Sequence, residues 1–106
     1  MNYRIIPQIP PRGEIVRILI DSDVANEIDD LYALAIVFGH PERFKIEGIV
    51  AAHFSGNGPS DSKEQSFKLL KELLEKAGME NKFPIAEGSH PMQYRNTPVD
   101  SEGVNL

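Results

Sequence analysis

The chain has 106 residues, enough for one small domain with a modest core, and its 41% hydrophobic and 25% charged residues are those of an ordinary globular protein, which excludes a disordered chain. Sixteen acidic against eleven basic side chains give a net charge of -5, and no Lys/Arg-rich stripe interrupts that balance, so nucleic acid and anionic membrane are poor partners. There is no cysteine, which excludes disulfides, thiolate metal sites and cysteine nucleophiles.

No apolar stretch approaches the ~18 residues of a membrane span, and Met1-Asn2-Tyr3-Arg4 lacks the apolar core of a signal peptide, so the cytoplasm is the expected location. Residues 1–13 contain Pro7, Pro10 and Pro11 and read as an extended arm. Residues 14–20 form a β-branched, nearly continuous apolar run broken only by Arg17, as a strand buried on both faces requires. This run empties into Asp21-Ser22-Asp23, and a second acidic pair, Asp29-Asp30, follows. Ligands of open α/β sheets bind at the carboxyl ends of the strands, and hard oxygen donors clustered there suit a divalent cation.

From Ile28 the period becomes helical, through Leu31, Tyr32, Leu34, Ala35 and Val37/Phe38, until Gly39-His40-Pro41 stops it. Asp29 and Asp30 then lie in the first turn, where the helix dipole favours ionised carboxylates. Residues 44–52 read as a second strand interrupted by Gly48, and residues 53–60 as a loop of turn formers and hydrogen-bond donors. Residues 61–77 form an amphipathic helix with Phe67, Leu70, Leu73, Leu74 and Ala77 on one stripe and a solvated Lys/Glu face, ended by Gly78. Residues 84–86 make a third short strand, followed by the turn Gly88-Ser89-His90-Pro91.

The order β-α-β-α-β with helical crossovers predicts an α/β fold with a parallel, right-handed wound sheet. The loops after its strands then meet at one rim, bringing together residues 21–30, 53–57 and 87–90. His53 at a strand end reads mainly as a satisfied rim residue, and His40 and His90, each beside a proline, carry no chemistry. The expected organisation is an arm at 1–13, a core at 14–91 and an irregular tail at 92–106, with Asp100 or Ser101 placed to cap a helix that does not follow. Three strands leave apolar faces uncovered, so the chain reads as part of something longer or as one that assembles with a partner.

The segment from Asp21 to Leu34, which opens Asp-x-Asp and ends Asp29-Asp30-Leu31-Tyr32-Ala33-Leu34, resembles the aspartate motif of the inosine-uridine-preferring nucleoside hydrolases. The resemblance continues through Glu47-Gly48-Ile49-Val50, Leu73 to Gly78, Phe83 to Met92 and Ser101 to Val104. It implies the amino-terminal part of a larger fold of that type, in an enzyme that cleaves the N-glycosidic bond of a ribonucleoside to ribose and a free base with Ca2+. By resemblance Asp23 and Asp30 would bind the metal, Asp23 would take the proton of the attacking water, Asp29 would bind ribose hydroxyls, and Asp21 would orient the others. A family asparagine that contacts ribose falls on Asn57, or its place is taken by His53. Val24-Ala25 stands where well-known members have Pro-Gly, and the segment to Asp29 is longer, as in a divergent branch. The family's remaining metal ligands and its leaving-group acid belong to later segments, so this chain alone is expected to be inactive, with at most weak metal binding. Two other readings are a magnesium-dependent phosphatase of the haloacid-dehalogenase type, from Asp21-Ser22-Asp23-Val24 after a strand, and a non-catalytic module that self-associates, a possible homo-oligomer.

Overall fold

The computed structural model describes residues 3–54, 61–92 and 96–106. Strand β1 (Val16–Ser22) is followed by helix α1 (Asp29–Phe38), strand β2 (Phe44–Ala51), helix α2 (Ser62–Lys76) and strand β3 (Ile85–Glu87), and a 3₁₀ turn (Glu102–Asn105) ends the chain. The strands form one parallel sheet in the order β1-β2-β3, so the fold is α/β as the alternation of elements predicts. Among the described residues no helix is long and apolar enough to cross a membrane.

Both crossovers step the same way along the sheet, so one handedness places both helices on one face. The core lies there. Leu34 of α1, Leu70 and Leu74 of α2, Ile49 and Ala51 of β2, and Val24 from the loop after β1 form it, with Ile20, Ile46, Phe67 and Ile85 packed around them. The Phe38 and Phe83 rings stack 6.2 Å apart and close its lower end.

The pleat of β2 does not keep one register. Ile18 pairs with Ile46 but Leu19 pairs with Gly48, which leaves Glu47 as an extra residue in the ladder. A strict period of two from Phe44 and Ile46 would turn Gly48 and Val50 inward; the bulge turns Ile49 and Ala51 inward instead. Glu47 accepts a hydrogen bond from Arg17 Nε at 2.7 Å, and that guanidinium holds its carboxyl below the usual glutamate range.

Helix α2 ends in a Schellman motif. Gly78, at φ +68°, donates to the Glu75 carbonyl, Met79 donates to the Leu74 carbonyl, and Met79 packs on the same core as Leu74. Among the described residues, the other face of the sheet carries the carboxyl-terminal segment. There Gly103 lies against Val50, Leu106 lies between Gly48 and Leu19, and the Glu102 carboxylate accepts from the Glu87 N–H at 3.3 Å. Ahead of β1 the arm is extended, with Tyr3, Ile5, Ile6 and Ile9 all exposed. Its root is held by Arg43, which donates to the carbonyls of Pro10, Pro11 and Glu14.

Candidate functional site

β1 starts later than its composition suggests and runs on through Ser22, so Asp21 and Ser22 are strand residues and Asp23 is the first to leave the ladder. Successive side chains of a strand point to opposite faces. Ser22, buried, therefore turns inward with Ile20, while Asp21, exposed, turns with Leu19 toward the carboxyl-terminal segment. The Ser22 hydroxyl donates to Asp30 Oδ2 at 2.5 Å, which ties the end of β1 to the first turn of α1. Asp29 and Asp30 do occupy that first turn, Asp29 exposed and Asp30 half-buried, where the helix dipole stabilises their charge.

The segment between them is a pinned turn. Asn26 N–H donates to the Asp23 carbonyl at 2.8 Å and its side-chain amide donates to Asp23 Oδ2 at 3.1 Å. Val24 is buried in the core, and Ala25 N–H donates to the Ser66 hydroxyl of α2. Asp30 is thus held by Ser22 of β1 and Asp23 by Asn26 of the turn, and Val24 and the Ala25–Ser66 bond anchor that turn to the core and to α2.

Two hollows flank the strand end. One, of about 210 Å3, lies between β1 and α1 and is lined by Asp21, Ser22, Asp30, Ala33 and Leu34. The other, of about 350 Å3, lies on the far face, where Asp21, His53, Ser89 and Ser101 surround an apolar wall of Leu19, Val50 and Val104. His53 Nδ1 lies 3.0 Å from the Ser89 carbonyl, which fixes the ring. Asp21, His53 and Ser89, one from each of the segments expected at a common rim, line this hollow together. Asn57, the other candidate for the ribose contact, lies outside the described residues, as does the rest of 55–60.

Sequence reasoning missed the hydroxyls of α2. Its buried ridge runs Ser62, Ser66, Leu70, Leu74, so the half next to the rim is polar and the half next to the core is leucine. Ser62 accepts from Phe54 N–H and Ser66 from Ala25 N–H, each holding a rim loop by its backbone. The signal available was two serines four apart at the head of an apolar stripe. Lys63, expected in the solvated face, is largely covered and its Nζ sits 3.5 Å from Glu87 at the end of β3. His90, expected to be idle, meets Glu64 at 3.1 Å. His40 closes α1, its Nδ1 lying 2.7 Å from the Ile36 carbonyl.

Calcium takes about six to eight oxygen ligands. Asp23 and Asp30 are donors of the right hardness, yet among the described residues no three His, Cys, Asp or Glu side chains gather closely enough to hold a metal ion. The donor set fits in kind and is incomplete in number. No protein-family model, curated protein or solved structure matches the chain.

Proposed function

We propose that the chain carries the amino-terminal part of a calcium-dependent nucleoside hydrolase site, with Asp23 and Asp30 as metal ligands and a ribonucleoside as substrate. The observation that supports this best is the pinned turn itself: Asp30 is held by Ser22, and Asp23 is held by Asn26, at fixed places on either side of a buried valine. Rigidly held carboxylates at a strand end lower the reorganisation needed to receive a cation.

Calcium, when bound, would supply Lewis acidity to an attacking water. The remaining tasks fall to side chains. Asp23 would accept the proton of that water, since its carboxylate is half-buried and already oriented by Asn26. Asp29, exposed in the first turn of α1, would accept hydrogen bonds from a vicinal diol. Asp21 and the other rim carboxylates would stabilise the positive charge that develops on the sugar as the glycosidic bond breaks. His53 would present its Nε2 to the larger hollow, with Nδ1 fixed by Ser89.

The test is a calcium titration of this chain followed by amide NMR, with ribose present and absent. The expected result is weak binding that shifts the Asp23 and Asp30 resonances, strengthens with ribose and vanishes in Asp30→Ala. Resonances of the turn that stay unmoved up to millimolar calcium would remove the reading.

A further inference from the structure

The loop after β3 leaves the sheet at Gly88, whose N–H donates to the Ala51 carbonyl at 2.9 Å, so closely that a Cβ on Gly88 would lie 3.0 Å from that oxygen. Beyond it the ladder ends, and Pro91 has no N–H to offer. Among the described residues, the polar contacts that hold Ser89 and His90 come from two imidazole rings. His53 Nδ1 lies 3.0 Å from the Ser89 carbonyl, and His90 Nε2 lies 3.1 Å from Glu64 Oε1 in the first turn of α2.

A histidine changes charge between about pH 5 and 8, and the two contacts respond to that change differently. Against a carbonyl, Nδ1 of His53 carries its proton in both the neutral and the charged ring, so that bond does not depend on charge. The His90 contact does, because the ring gives Glu64 a positive partner only when protonated. The groups packed about the loop make that charge matter. Lys63, whose side chain is only 15% exposed, sits 3.7 Å from Glu64 and 3.5 Å from Glu87 of β3, and the Glu102 carboxylate of the carboxyl-terminal segment lies on the Glu87 N–H. One ammonium thus stands among three carboxylates, and His90 ends the row as its second cation. An isolated surface pair contributes little, whereas charges joined in a network hold better.

Ser89 and His53 are wall residues of the 350 Å3 hollow, together with Asp21 and Ser101. Whatever frees the loop therefore frees part of that wall. We propose that His90 is a pH-sensitive latch: protonated, it pins the loop after β3 to Glu64 at the start of α2 and so fixes Ser89 and the His53 ring at the hollow; neutral, it releases them. The wall is ordered at acid pH and loosens as the pH rises. The latch needs neither metal nor nucleoside, so it stands apart from the nucleoside hydrolase reading, and either can fail without the other.

Backbone relaxation of the whole chain by NMR, followed from about pH 5 to 8, tests it. The order parameters of the Ser89 and His90 amides are expected to fall from about 0.85, a rigid backbone, to below about 0.6, in step with the titration of the His90 ring protons, while those of α2 stay constant. His90→Gln, which keeps a donor and cannot be charged, is expected to hold them at their alkaline value throughout. Glu64→Gln tests the other end of the latch: His90 still titrates and the loop no longer follows. The two side chains are 54% and 45% exposed, so neither substitution disturbs the core. Order parameters that stay constant across this range overturn the proposal. So does a pH dependence that survives in His90→Gln or in Glu64→Gln, since His53 or another group would then carry it.

Discussion

Ser22 and Asp30 are the pair that ties the end of β1 to the start of α1. A hydroxyl donating to a carboxylate is a charge-assisted bond, and here it joins the last residue of β1 to the first turn of α1 across a half-buried gap. Ser22→Ala leaves the aspartate to water on one side only, so unfolding in urea should show a loss of about 1–2 kcal/mol. An unchanged midpoint would mean that Val24, Leu34 and the Ala25–Ser66 bond hold the two elements without it. The aspartates themselves were legible in the sequence, because Asp-x-Asp after an apolar run and a second pair at a helix start leave few alternatives. Their directions were not. Whether Asp21 and Ser22 stand inside the ladder or beyond it decides which face each one sees, and composition does not fix where a ladder ends. Ser62 and Ser66 were hidden for a different reason: a small hydroxyl in an apolar stripe looks like filler until the backbone N–H it accepts from is known.

At the scale of elements the alternation of periods two and 3.6 carried the fold. Each of the five main elements of the sheet and its helices lies within two residues of its expected bounds at either end, because each is closed by a physical stop. Gly39 and Pro41 close α1, and Gly78 closes α2. The bulge at Glu47 was signalled only by Gly48, since a glycine in a strand marks a departure from the pleat without saying which residue is extra. The 3₁₀ turn at the carboxyl end follows Ser101, a residue expected to cap a helix, and packs on β2 at Val50 and on β3 at Glu87. The stop at Gly78 can be measured. Its φ of +68° is open to glycine and costly for any side chain, while an added Cβ would meet nothing within 4 Å. Gly78→Ala should therefore lower stability by about 1 kcal/mol through backbone conformation alone, and Gly78→Asn by less, because asparagine tolerates the left-handed region. Equal losses for the two variants would point to packing instead.

The whole molecule is larger than its mass implies. Its radius of gyration is 15.7 Å, where a compact chain of this length has about 13 Å. One cause is a core built on a single face of the sheet; another is the amino-terminal arm. Tyr3, Ile5, Ile6 and Ile9 are between 81% and 91% exposed, so they bury almost nothing and cannot add hydrophobic stabilisation to the folded chain. What the arm does contribute is confined to its root. There Arg43 gathers three carbonyls at 2.6 to 2.8 Å, and the consecutive prolines Pro10 and Pro11 limit the backbone that leads away from it. The two halves of this segment should behave differently. Deleting residues 1–9 should leave the thermal midpoint where it is, while Arg43→Ala should lower it, since that substitution frees residues 10–14 from the turn before β1. Thermal melts by circular dichroism compare them directly. For a domain near this size about 1 kcal/mol corresponds to a shift of roughly 4–8 °C, so a fall of that order on deletion would show that the arm's isoleucines contribute burial to the folded chain.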